Sequence, residues 1–407
     1  MTDLLRVPGL GAPPSSRASV LDAIRVAGTI SRVEITEVTG LTAATVSTTV
    51  RRLIEDGLVR EAGRGESTGG KPRVLLELVP TSRYALGVHL DAEDVTYVLV
   101  DLGGAVVARL RRAQGVGAPE VGVARMAATL RGLVESAGVR WDQVLGLGVV
   151  APGPLSRRSR LVLTRPAMDA WGDFPLGASL GEATGLPVVL DNDATAAAVG
   201  EHWGGGAGGS RAFAAIYLAT GIGSGAVIDG VPLRGVSSNA GEIGHVCVEA
   251  DGPECWCGSR GCVEALAGPR SVVAAAEAAG FDLDGAGRGL SERFAALSRA
   301  ALGGDALAAN LLGRSARYVA IAAQTLVQVL DVDRLVLTGP AMAVAGSLYL
   351  PAVRQRLATA QFARGDHDVD VVISSHAGEA AAVGAAALVL QGELVHPGGG
   401  VRIDVVA

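Results

Sequence analysis

The stretch Pro187–Glu201, PVVLDNDATAAAVGE, sets three polar residues, Asp191, Asn192 and Asp193, between an apolar strand and an alanine-rich helix. That order, strand directly into helix, is an α/β element. The carboxylate of Asp193 then has two readings. It is a base in a binding cleft, or it is an acidic cap on the helix that follows, a position where Asp is common.

Outward from this stretch the chain repeats itself. From Arg83, ALGVHL, the turn DAED, VTYVLVD, the turn LGG and AVVARL read as three antiparallel strands. A similar order returns as FAAIYLA, TGIGS, GAVIDG and VPLRG, a weak internal repeat at the head of two α/β lobes. A helix is expected near 121–137, a strand in VLGLGVVAPGP, helices near 271–279, 291–302 and 306–330, and a strand in DRLVLTG. An alanine-rich helix at 378–391 is expected to return to the first lobe. Two lobes imply a cleft between them.

The N-terminal segment has a different grammar. SRASVLDAIRVAG reads as a helix ending at Gly28, and Ser31 with Glu34 has the spacing of a capping box, followed by the apolar pair Ile35 and Val38. A third helix starts at Thr42 and lines up Val46, Val50, Leu53 and Ile54 on one face. Its other face carries Thr42, Ala43, Thr45, Ser47, Thr48 and Arg51, short side chains that suit close approach in a DNA major groove. Two short strands around a glycine-rich tip with Arg60, Arg64, Lys71 and Arg73 make a wing whose cations could reach phosphates. The bland alternative is a small helical bundle that docks protein.

With 407 residues, 49% of them hydrophobic, the chain has material for two or three packed domains. A formal charge of −6, with the first 77 residues near neutral, confines any DNA contact to a local surface. No apolar run reaches a membrane span and the opening residues 1–14 lack a signal-peptide pattern, so a cytoplasmic protein is expected. Four cysteines, three of them between Cys255 and Cys262, are too few and too clustered for a disulfide framework and point to metal.

The motifs TGLTAATVS, APGP at 151–154, DNDATAAA at 191–198, GEIGH at 241–245 and CWCGSRGCVE at 255–264 resemble the ROK family of repressors and sugar kinases. The likeness runs from about residue 16 to 390 and is to the repressor branch, of the xylose and N-acetylglucosamine type. It implies an α/β fold with an N-terminal winged helix-turn-helix followed by a two-lobed, actin-like (ribonuclease-H-like) sugar-kinase body. The expected division is 14–80 for the DNA-binding domain, 81–198 for the first lobe with helix 378–391, and 199–377 for the second lobe with a zinc loop at 245–264.

Three sulfurs, Cys255, Cys257 and Cys262, with the imidazole of His245 complete a closed tetrahedral set, which suits structural zinc. The family's zinc ligands fall on the same four positions. Cys247, which would share a strand face with His245, is the rival fourth ligand, and reduced thiols packing a turn are the metal-free alternative. The resemblance also makes Asp193 the counterpart of the kinase base, and Asn192, Glu242, His245 and Glu264 counterparts of sugar-hydroxyl contacts. Ala167 replaces an asparagine that touches sugar in relatives.

The phosphate side departs further. Where kinases of the family carry an Asp, a residue, two glycines and a threonine, this chain reads His89, Asp91, Ala92 and Glu93. Side chains obstruct a turn that needs bare backbone. If Asp91, Glu93 and Asp94 all faced a polyphosphate, each like-charge pair at ~4 Å would cost about 4 kcal/mol at an effective dielectric of ~20. The expectation is therefore a non-enzymatic sugar-binding regulator that reads a palindromic double-stranded DNA operator as a homodimer or homotetramer. The rivals are a working ATP-dependent sugar kinase with an added DNA-binding domain, and a regulator whose kinase-like body only dimerises.

Overall fold

The structure is a computed structural model that describes residues 15–65, 73–113, 118–153, 155–156, 160–161, 171, 174–204, 209–362 and 368–395. Three helices open it: α1 (Ser16–Ala27), α2 (Arg32–Thr39) and α3 (Ala43–Glu55). Each start is capped as its sequence requires, by the side chains of Ser15, Ser31 and Thr42, and Ser31 and Glu34 form the full capping box. Val46, Val50 and Leu53 are fully buried, which fixes the opposite face of α3 outward. Val38 is the exception to the apolar pairing: Ile35 is buried but Val38 is 67% exposed. The wing strands β2 (Val59–Arg64) and β3 (Val74–Leu78) are joined by an unforeseen β1 (Thr29–Ser31), giving the order β1-β3-β2.

The first lobe contains β4 (Tyr84–Leu90), β5 (Asp94–Asp101), β6 (Val106–Ala113), α4 (Pro119–Ser136) and β7 (Val144–Ala151). A small pair, β8 (Leu155–Ser156) and β9 (Arg160–Leu161), is followed by α5 (Leu176–Thr184), β10 (Val188–Asn192) and α6 (Asp193–Trp203). The second lobe holds β11 (Ala212–Leu218), β12 (Ile222–Ile228), β13 (Val231–Pro232), α7 (Val263–Ala267), α8 (Pro269–Ala278), α9 (Leu290–Leu302) and α10 (Ala306–Leu330). It closes with β14 (Arg334–Thr338), α11 (Pro340–Ala360) and β15 (Asp370–Ile373), before α12 (Ala380–Val395).

The repeat legible in the sequence is a repeat of topology. Each lobe has a five-stranded sheet, β10-β7-β4-β5-β6 and β13-β12-β11-β14-β15, in which three antiparallel strands are extended by two parallel ones. Helix α12 packs on the first sheet and α6 on the second, and the two helices pack on each other. Their crossing is so close that a Cβ on Gly384 would stand 1.7 Å from the backbone oxygen of Ala196, so only glycine fits. The apolar residues of the winged helix, among them Val20, Leu21 and Ile24, form one cluster with Ala194, Ala197 and Ala385 of this two-helix layer. Among the described residues no helix is long and apolar enough to cross a membrane.

Candidate functional site

A cavity of about 470 Å³ lies between the sheets, lined by Gly153, Asn192, Asp193, Thr220, Glu242, His245, Trp256 and Glu264 among others. Strand β10 delivers Asn192 and Asp193 to its floor. The helix cap is Asn192, whose Oδ1 accepts from the backbone N–H of Thr195 at 3.0 Å; the alternative of Asp193 as cap does not hold, because Asp193 is already the first helical residue. Asp193 Oδ1 accepts from the Ala194 N–H at 2.8 Å, and its Oδ2 lies 3.6 Å from His89 Nε2. Next to them, a Cβ on Gly153 would meet Glu242 Oε1 at 3.1 Å and Asn192 Nδ2 at 3.3 Å, so the glycine of the APGP turn lets the two sides of the cleft approach. Asp191 faces away from this group and takes a two-pronged contact from Arg234, at 2.7 and 3.1 Å.

These carboxylates crowd one cleft and perturb one another, although Glu242 keeps part of its surface open to solvent. Burial, then the charges of Asp193 and Glu264, push the Glu242 carboxyl up to about 7. Burial opposes a charge on His89, but the contact with Asp193 and the charge of Asp91 outweigh it and raise its pKa. Burial likewise raises Asp91, with the charge of Asp193 adding to it. The cleft therefore holds protons at positions that can donate to, as well as accept from, hydroxyl groups.

The turn between β4 and β5 corrects the expectation that three carboxylates face a polyphosphate. Only Asp91 is turned inward, where it is buried and accepts from the hydroxyl of Thr220 at 3.2 Å, across the cleft. Glu93 crosses to the other lobe, accepting from the backbone N–H groups of Leu290 at 2.5 Å and Ser291 at 3.2 Å at the start of α9. Helix starts present unpaired donors and a partial positive charge, which draws the carboxylate there. Asp94 begins β5 and pairs with Arg111 on the neighbouring strand at 2.5 Å.

The four residues expected to hold a metal converge. The ligand atoms of His245, Cys255, Cys257 and Cys262 all lie within 4.8 Å of one another. Cys257 Sγ is 3.7 Å from Cys262 Sγ, and Cys255 Sγ is 3.5 Å from His245 Nδ1. Tetrahedral zinc with bonds of ~2.3 Å to sulfur and ~2.0 Å to nitrogen needs edges of roughly 3.5–3.8 Å, so these two edges already fit and the widest separations, up to 4.8 Å, would close by about 1 Å around a metal. Cys247 is exposed and outside the group, which removes it as the rival ligand. Two residues past the last cysteine, Glu264 lines the cavity as expected, yet its oxygens hold neighbours: Oε2 accepts from the Ile222 N–H at 2.8 Å and Oε1 from the Trp256 indole at 2.7 Å.

On the winged helix, Thr42, Ser47, Thr48 and Arg51 are exposed and Thr45 is partly so. Thr42 is partly occupied within α3, since its hydroxyl caps the helix and lies 2.9 Å from that of Thr45. Arg64 is exposed at the end of β2, and Arg73 stands 3.9 Å from Glu34, an exposed pairing too weak to hold it back. Lys71 and Ala167 lie outside the described residues. Three participants in the site have no assigned role in the sequence expectation: Asp91 and Glu93 as partners across the cleft, and Trp256. Of these only Trp256, an aromatic between two ligand cysteines, carried a local signal.

Residues 85–392 match the ROK family and residues 10–66 the MarR family. The first match spans most of the chain, which therefore belongs to the ROK family. A xylose repressor of Caldicellulosiruptor bescii is 28% identical over 90% of this chain and 93% of its own length. The fold is that of a ROK family transcriptional regulator homologous to the Escherichia coli MLC protein, with a TM-score of 0.73 over 93% of this chain and 96% of that one at 23% identity. A ROK family glucokinase from Streptomyces griseus, solved with glucose and AMPPNP, superposes with a TM-score of 0.64 over 75% of this chain and 98% of its own, at 28% identity.

Proposed function

We propose that this chain is a DNA-binding transcriptional repressor that senses a sugar in its interlobe cleft and does not phosphorylate it. The observation that carries the reading is the turn between β4 and β5, where Asp91 and Glu93 are both bonded across to the second lobe. By the family resemblance these are positions where a sugar kinase would keep bare backbone for phosphates. A nucleotide would have to break these bonds and then meet the Asp91 carboxylate. The relative named as a xylose repressor and the regulator sharing the fold support the same reading.

Sugar hydroxyls would contact Asn192, Asp193, Glu242, His245 and Glu264. His245, Cys255, Cys257 and Cys262 would hold a structural zinc, since four protein ligands leave no open position for catalysis. DNA would be read by Thr42, Thr45, Ser47, Thr48 and Arg51 of α3, with Arg64, Lys71 and Arg73 on phosphates. A dimer on a palindromic operator would match two half-sites.

The two ends of α6 connect these functions. Its first turn forms the floor of the cleft, and ~16 Å away its last residue, Trp203, meets α1 of the winged helix. Arg25 donates to the Trp203 carbonyl at 2.5 Å and lies 4.3 Å over its ring. A ligand that repositions α6 against Gly384 would tilt the DNA-binding domain with it. The test is fluorescence anisotropy of a duplex that the zinc-loaded full chain selects from a random pool, titrated with sugars and with magnesium-ATP. A sugar is expected to change operator affinity about 5- to 150-fold, and ATP to add nothing. Sugar-dependent ADP release at ~1–100 per second, lost in Asp193→Asn, would defeat the proposal.

A further inference from the structure

Trp256 has no assigned role beyond its hydrogen bond to Glu264, and its placement is unusual. It is 61% exposed, although burying an aromatic ring of its size is strongly favourable. It is also held firmly. The turn that carries it is closed by hydrogen bonds from the Cys255 N–H to the Ser259 carbonyl at 2.8 Å and from the Gly258 N–H to the Cys255 carbonyl at 3.0 Å, its ring stands edge-on to His245 with centroids 4.8 Å apart and planes at 86°, and its N–H donates to Glu264 at 2.7 Å. The indole lines the same cavity as Asp193 and Glu242. A rigid aromatic surface kept open on the wall of an otherwise carboxylate-rich cavity calls for a ligand with two kinds of surface.

A pyranose is such a ligand, with hydroxyl groups around its edge and C–H bonds on its faces. We propose that Trp256 is a sugar-binding residue: a C–H face of the effector lies on the indole while the carboxylates take its hydroxyl edge. The metal loop thereby acts on affinity as well as on folding, because it presents this ring at no ordering cost when the ligand arrives. The inference rests on the sugar-binding reading above, and its test separates the two.

The zinc-loaded full chain and its Trp256→Ala and Trp256→Phe variants are titrated calorimetrically with D-xylose, D-glucose and N-acetyl-D-glucosamine, with zinc content measured in parallel. Acrylamide quenching of tryptophan fluorescence is followed with and without the bound sugar. Trp256→Ala is expected to weaken the sugar that binds by about tenfold and Trp256→Phe by no more than about threefold, since phenylalanine keeps a ring face. Bound sugar is expected to shield the portion of fluorescence that Trp256→Phe lacks. Affinity unchanged in Trp256→Ala, equal losses in both variants, or an indole as quenchable with sugar as without it would each overturn the proposal and leave the sugar-binding reading standing. If wild type bound none of the three sugars, that reading itself would fail and the assignment of Trp256 with it.

Discussion

Glu242 shows at the scale of one residue how the cleft stores sensitivity to its contents. Its carboxyl is raised to about 7 by burial and by the neighbouring charges of Asp193 and Glu264. A group whose folded pKa is raised stabilises fully below its ordinary value and loses that contribution as pH rises through the folded value. His89 and Asp91, also raised, act in the same direction. Without sugar, wild type should therefore lose stability relative to Glu242→Gln as pH goes from 5 to 8. Calorimetric midpoints of the two proteins across that range check it, and a difference independent of pH would contradict it. Glu93 gives a second prediction at this scale: Glu93→Ala should cost about 1 kcal/mol, as the loss of a helix cap does, without creating affinity for ATP. Denaturant midpoints and ATP titration measure both. The residues of the site were legible where a motif names them, as in GEIGH and CWCGSRGCVE. Asp94 was misread because its partner, Arg111, is set by the register of β5 on β6, and a short turn does not encode which carboxylate points inward.

At the scale of elements, α6 is both the floor of the cleft and the seat of the DNA-binding domain. Arg25→Ala should leave sugar affinity within about twofold of wild type and reduce the effect of sugar on operator binding, because it removes a joint distant from the ligand. Calorimetry reads the first quantity and operator anisotropy the second; full coupling in the variant would show that the signal travels elsewhere. The sequence announced α6 through its alanine run and polar start, and α3 through its cap and apolar spacing. It did not announce the contact of Arg25 with Trp203, which joins residues 178 apart. Nor was α11 legible, since Pro351 lies within it, where proline ordinarily marks a break, and its packing on α9, α10, β14 and β15 offsets that cost.

At the scale of the whole molecule, the repeated sheet topology sets two lobes around one cleft, and the loop carrying His245 and the three clustered cysteines closes one wall. The repeat was visible as two runs of three strands, but which helices fill the space between the sheets depended on contacts such as that of Gly384 with Ala196. Removing the metal with a strong chelator should lower the thermal midpoint and abolish sugar binding together, with zinc restoring both; sugar binding that survives chelation would separate the loop from the site. The proposed cleft binds sugar without transferring phosphate. The most direct test of this is the thermal midpoint of the zinc-loaded full chain against pentoses, hexoses and N-acetyl amino sugars, each with and without magnesium-ATP, with ADP assayed in the same samples. A ligand at ~100 times its dissociation constant contributes about 2.7 kcal/mol, a shift large enough to read. One sugar is expected to raise the midpoint, with no change from ATP and no ADP formed; stabilisation by ATP or sugar-dependent ADP would overturn the sugar-sensor reading.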